Sequence, residues 1–288
     1  MHKKPACLRR RNSLRDSFQK ESLGDQGVCK PFLHCLCALL VLLGSLPSPV
    51  SASGSDGPRD QAAITEGFQD LEAWEPLAFE KIERHSEYSA VRFDGRQVLK
   101  AVSDSSASGI VHSRTFDVFS SPQLTWTWRV DSIYAKGNAE RKSGDDYPLR
   151  LYVLFEYDPD QAGLGQRITY GLLKTVYGEY PPHSSLNYIW ANRQHEQAVL
   201  INQYTDKAMM IPVQAGPDRV GEWLTETRNI VEDYRMAFGE EPPAKARLAV
   251  MNDSDDTGEA STAYLDWVRV SAENEPGGEP GQNEEAKL

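Results

Sequence analysis

Cysteine disappears early from this chain. The four cysteines among its 288 residues are Cys7, Cys29, Cys35 and Cys37, and none follows. Disulfides, thiolate metal sites and a cysteine nucleophile are therefore excluded from everything beyond residue 37. Long apolar runs are almost as scarce. The one that stands out covers 32–46 and falls short of the ~20 residues that a membrane-spanning helix needs. The histidines beyond residue 52 are His85, His112, His183 and His195, and none has zinc-ligand spacing. The sequence has no G-x-S-x-G elbow and no P-loop, so the common serine hydrolase and nucleotide-binding signatures are missing. Positive charge is in deficit too: 31 Lys and Arg stand against 42 Asp and Glu, a net charge of −11.

The first 52 residues differ in kind from the rest. Eight basic residues, the apolar run and Pro47-Ser48-Pro49-Val50-Ser51-Ala52 succeed one another. A basic flank, an apolar core and a small-residue Val-x-Ala site describe a secretory signal peptide cleaved after Ala52. The flank is long for a signal of ~15–30 residues, and initiation at Val28 would give one of ordinary size over 28–52. Arg9-Arg10-Arg11 lies far upstream of the apolar run, which points to the general secretory route rather than the twin-arginine one. His34 before Cys35 is not the small residue that a lipoprotein site needs. The expected location is outside the cytoplasm of a bacterium, in the periplasm or beyond. Removing 1–52 takes away eight basic and three acidic residues, which moves the net charge from −11 to −16. Phosphate backbones and anionic lipid repel such a surface. Nucleic acid is thereby excluded as a partner, and the membrane is excluded once the signal is cleaved.

The remainder divides by composition. Residues 53–73 are rich in Ser, Gly and Asp and read as a linker. Residues 272–288 carry almost nothing apolar and read as a disordered acidic tail. Between them, 74–271 forms one domain with a dominant period of two, the mark of half-buried strands. In PQLTWTWRVD, Leu124, Trp126, Trp128 and Val130 share a face, and in-phase apolar alternation makes the tryptophans core. In DYPLRLYVLFEY, Tyr147, Leu149, Leu151, Val153 and Phe155 share a face. Further strands are expected over 77–83, 88–93, 96–102, 109–118, 186–192, 198–202, 207–214, 222–228, 245–252 and 261–271. About a dozen short strands separated by turns predict an all-β fold, a two-sheet antiparallel sandwich of jelly-roll type. A helix is expected over 230–238, capped by Asn229, closed by Gly239 and blocked by Pro242-Pro243. Its stripe is Val231, Tyr234 and Phe238. A second helix is expected over 167–177.

Three readings compete for Asp253-Ser254-Asp255-Asp256-Thr257-Gly258. Asp-x-Asp-x-Thr after an apolar strand is a phosphoaspartate signature, but too little chain follows to build the α/β core that this chemistry requires. The same residues match the first half of an EF-type calcium loop. The twelfth position of that loop is then Tyr264, where a bidentate acid is needed. There remain a looser calcium site on Asp253 and Asp255, and a hydrated hairpin turn between the last two strands, for which this composition suffices without metal.

The polar faces of the two central strands offer a ligand surface. Arg129, Asp131, Arg150, Tyr152 and Glu156 would lie together if those strands are neighbours. Their arginines could then grip a hydroxylated or carboxylated ligand, or the face could simply be solvated, with cross-strand ion pairs. Tyr180-Pro181-Pro182-His183 and Asn202-Gln203-Tyr204-Thr205-Asp206 are loops of the kind where binding residues gather.

Several blocks taken together are familiar: TWTWRVD (125–131), DDYPLRLYVLFEYD (145–158), LNYIWAN (186–192), NQYTD (202–206), RNIVEDYRMAFGEEPP (228–243) and MNDSDDTGE (251–259). In this combination the chain resembles a bacterial family catalogued as domain of unknown function 3047, over about residues 74–271. The resemblance implies one secreted domain with these segments in this order and brings no catalytic residues. At fold level, LAFEKIE (77–83) and AYLDWVRV (263–270) are similar to the first and last strands of jelly-roll carbohydrate-binding modules. Acids from those two strands often hold a structural calcium there, and by position Glu80 and Asp266 are their counterparts.

The expectation drawn from all this is an exported domain that binds a carbohydrate or similar envelope ligand without transforming it. The alternatives are a polysaccharide lyase or hydrolase using Glu156, Tyr152, His183 and the arginines, and a domain that binds other proteins.

Overall fold

The computed structural model describes residues 62–79, 82–160, 162–165, 167, 170 and 180–273. The chain divides into two compact units, Met1–Ser55 and Asp56–Leu288. The expected signal peptide, the linker up to residue 61, the tail beyond 273 and most of the helix expected over 167–177 lie outside the described residues.

The second unit is a sandwich of two sheets. The first sheet runs β12 (Leu224–Asn229), β7 (Gln123–Val130), β14 (Ala260–Ser271), β4 (Arg96–Asp104) and β3 (Glu87–Phe93), and β1 (Ile64–Glu66) also pairs with β14. The second runs β10 (Leu200–Ile201), β11 (Ala208–Ala215), β9 (Ser184–Ala191), β8 (Arg150–Phe155), β13 (Lys245–Asp253), β5 (Ala107–His112) and β2 (Trp74–Leu77). Here β6 (Phe116–Asp117) adds to β13. Pairing is antiparallel except between β9 and β11, which run parallel. Most expected strands are present within a residue or two.

Alternation builds the core between the sheets. Leu124, Trp126, Trp128 and Val130 of β7 are all fully buried. Across the gap, Tyr188 and Trp190 of β9 meet them, with ring centroids 5.2 Å apart for Trp126–Tyr188 and 5.8 Å for Trp128–Trp190. Such pairs add ~0.5–1.5 kcal/mol each beyond area burial. Helix α1 (Ile230–Phe238) follows β12 directly. The Asn229 side chain accepts hydrogen bonds from the Val231 and Glu232 amides at 3.1 Å, and Gly239 ends the helix at φ 73°. Tyr234 is fully buried and packs on Phe155 and Phe238.

Four expectations need correction. The linker ends earlier than residue 73: Ile64 and Phe68 are buried in the core, and β1 pairs with β14. Two apolar anchors were hidden in a Ser/Gly/Asp-rich composition. The first long strand is 74–77 rather than 77–83. The 109–118 stretch divides into β5 and β6, and Ser113–Thr115 lie outside both strands. Lastly, 254–259 is not a hairpin turn. Strands β13 and β14 belong to different sheets, so this segment is an arch that crosses from one layer to the other.

Candidate functional site

The second sheet has one face in the core and one face outward, and its outer face is only partly covered. Ile189 and Ala191 of β9 and Met210 of β11 point away from the core. They are capped by Ala139 and Tyr147 in a small apolar cluster. Tyr147 therefore lies on the outer side and not with Leu149 and Leu151, because β8 begins only at Arg150, beyond Pro148. The cap pins the 139–147 segment over β9 and β11. The rest of the outer face, across β8, β13, β5 and β2, stays open as a groove of about 700 Å³. That volume is within the ~300–1,000 Å³ of small-molecule sites.

Register decides what the groove presents. Directly opposed residues share a face, so Tyr152, Ala249, Val111 and Glu75 form one row across four strands. Leu154 and Arg247 form the next. Ala249 and Val111 are small, so the floor between Tyr152 and Glu75 is low. Phe79, Tyr157, Tyr180, Pro181 and Pro182 line the groove from the loops. Glu156 accepts a hydrogen bond from the Thr115 hydroxyl at 2.7 Å and sits 3.7 Å from the Arg247 guanidinium. Burial pushes the Tyr152 phenol up to about 12 against the pull of Arg150, so it stays protonated and can donate.

Behind Tyr152 lies a buried charged cluster. The Arg150 Nε donates to Asp253 Oδ1 at 3.0 Å and its Nη2 donates to Asp253 Oδ2. Asp145 Oδ1 lies 3.9 Å from Arg150 Nη1. Asp146 accepts from the amides of Asp256 and Thr257 and so holds the arch down. The 202–206 loop closes the cluster from outside, with Asn202 donating to Asp145 and Tyr204 donating to Asp256, both at 2.7 Å. Burial pushes the Asp253 carboxyl up to about 7. Arg150 pulls against the rise, and Asp146 and Asp145 add to it. Burial likewise raises Asp145, Asp255 and Asp256.

Asp146, Asp253 and Asp255 can each bring one carboxylate oxygen within 4.8 Å of the others, an arrangement able to approach a divalent cation. The oxygens of two of them already have work: both of Asp253 face Arg150, and both of Asp146 accept amides. Of the expected calcium ligands, Asp253 and Asp255 meet here. Asp266 is elsewhere, on β14, paired with Arg96. Glu80 lies outside the described residues.

The expected ligand surface is divided. Strands β7 and β8 lie in different sheets, so they are not neighbours. Tyr152 and Glu156 line the groove, and Arg150 is buried against Asp253. Arg129 and Asp131 are on the first sheet's outer side. There Arg129 is ion-paired with Asp131 at 2.9 Å and lies over the Phe93 ring, which stacks on Tyr264. The groove residues missed in the sequence include Glu75, Val111, Leu154, Arg247 and Ala249. Arg247 alternates with the buried Ala246 and Leu248, which was the available signal, whereas Ala249 is itself 2% exposed within an apolar run and gave none. Which strands they would neighbour was not signalled.

A family model described as "Protein of unknown function (DUF3047)" matches residues 72–269. No curated protein sequence matches the chain. Among solved structures, the chain is similar to the family 11 carbohydrate-binding module of Clostridium thermocellum in complex with a mixed-linked tetrasaccharide. The identity is 9%, 72% of this chain and 93% of that one are covered, and the TM-score is 0.34. It is also similar to Trichoderma harzianum endoglucanase 3 of family GH12, at 8% identity, 73% and 97% coverage and a TM-score of 0.34. A third is winged bean acidic lectin complexed with methyl-alpha-D-galactose, at 7% identity, 73% and 99% coverage and a TM-score of 0.33.

Proposed function

This chain belongs to the DUF3047 family, and we propose that its domain binds a carbohydrate, without transforming it, in the groove on the outer face of the second sheet. The observation that carries the reading is the row Tyr152–Ala249–Val111–Glu75, flanked by Leu154 and Arg247. A sugar ring has apolar C–H faces and a rim of hydroxyls. Aromatic and aliphatic side chains suit the faces. Glu75, Glu156, Arg247 and the Tyr152 hydroxyl suit the rim, since each can exchange hydrogen bonds with hydroxyl groups. The rigid sheet fixes the floor, and the Tyr180-Pro181-Pro182 segment supplies a stiff wall. Export, on the strength of the signal-like 1–52 segment, would bring the domain to envelope or extracellular glycans.

The test is a glycan array probed with the domain from residue 53 onward, alongside Tyr152→Ala and Arg247→Ala. Specific binding that both substitutions weaken by tenfold or more is expected. Absence of binding, or binding indifferent to both substitutions, would sink the proposal.

A further inference from the structure

The charges of the groove point to the class of glycan. Among the described residues that line it, Arg247 is the one cation, against the carboxylates of Glu75 and Glu156. That cation is already engaged. Glu156 stands 3.7 Å from its guanidinium and is itself fixed by the Thr115 hydroxyl at 2.7 Å. Glu75 is exposed, and among the described residues it makes no ion pair or side-chain hydrogen bond. It faces the groove with no cation of the described residues paired to it. The whole chain carries a net charge of −11, which repels polyanions at longer range as well.

Resting on the carbohydrate reading of this site, we infer that the groove selects neutral glycans and rejects uronate- or sulfate-bearing ones. A ligand carboxylate entering here would meet two protein carboxylates and, among the described lining residues, one guanidinium whose charge Glu156 already offsets. It would lose its hydration without gaining a bidentate partner. A neutral hydroxylated chain incurs no such cost. It can accept from Arg247 and Tyr152 and donate to Glu75 and Glu156 while leaving the Arg247–Glu156 pair in place. Glu156 is thus a specificity determinant, because its carboxylate offsets the charge with which Arg247 would attract an anionic ligand.

Affinity electrophoresis of the domain in gels containing mixed-linkage glucan, laminarin, xyloglucan or galactomannan, set against gels containing polygalacturonate, alginate or chondroitin sulfate, tests this. Retardation by at least one neutral polymer, with affinity at least tenfold weaker for every anionic one, is expected. It should change less than twofold between low salt and 0.5 M NaCl, because no ion pair with ligand forms. Glu156→Gln, a half-exposed position, should gain retardation by polygalacturonate, as Arg247 is released. Preference of the wild-type domain for an anionic polymer overturns the inference and leaves the groove reading standing. Failure of Glu156→Gln to gain that retardation overturns the role given to Glu156. No retardation by any polymer of either class defeats the groove reading itself, and the inference with it.

Discussion

Arg150 and Asp253 lie diagonally across neighbouring strands, β8 and β13, and meet through two parallel hydrogen bonds while 4% and 3% exposed respectively. Both project from the outer face of the sheet, in line with the groove. The 139–147 segment and the arch between the sheets roof them over. The same pair of strands thus carries an open binding surface at one end and a sealed ion pair at the other.

Breaking that pair leaves a charge buried without its partner, which costs about 3–5 kcal/mol. Arg150→Met is expected to lose stability of that order in urea denaturation at pH 8 and above, where the unfolded chain holds Asp253 ionised and burial without Arg150 opposes that charge. The double variant Arg150→Met/Asp253→Leu should recover most of it, since two apolar residues of similar volume replace two desolvated charges. A double variant no better than the single one would show that the pair is worth more than its desolvation.

The raised Asp253 carboxyl makes a prediction about pH. Its folded value of about 7 lies above the ordinary value of 3.8, so between these values the folded state binds more proton than the unfolded one. Stability is then fully present below about 4 and is lost as pH rises through about 7. Asp145, Asp255 and Asp256 shift in the same direction. The melting temperature should rise as pH falls from 8 to 5, and Asp253→Asn should flatten the slope. A melting temperature that falls across this range would contradict the assignment.

Metal dependence follows from how the arch is held. Asp146 is satisfied by two backbone amides and Asp253 by Arg150. Melting curves recorded with 2 mM calcium and with excess chelator are expected to coincide. An increase of several degrees with calcium would instead assign Asp146, Asp253 and Asp255 to a cation site.

Trp128 tests the core. It is fully buried in β7 and packs on Trp190 of the opposite sheet. Trp128→Ala should cost about 3–5 kcal/mol, the usual range for emptying a large aromatic site. Asn229→Ala, which removes two accepted amide bonds at the start of α1, should cost only about 1 kcal/mol. Equal costs for the two would contradict the ranking of packing above capping.

The local patterns were legible in the chain because each depends on neighbours a few residues away. Period-two alternation in 123–130 marked that strand and its buried face, and 245–252 was legible as a strand. Asn229 and Gly239 marked both ends of the helix. The absence of cysteine beyond residue 37 left packing rather than cross-links to hold the domain. Which strands share a sheet depends on contacts between residues far apart in the chain, such as Val111 and Ala249 of β5 and β13, and nothing local encodes them. Placing β7 and β8 in separate layers parted Arg129 from Tyr152. Placing β13 between β8 and β5 brought Arg247, Ala249 and Glu75 into one groove. Arg150 reads as a surface arginine in the sequence, since its strand alternates as a half-solvated one should. Only the roof formed by the 139–147 segment and the arch, pinned by Tyr147 against Ile189 and Ala191, turned it into a buried partner for Asp253.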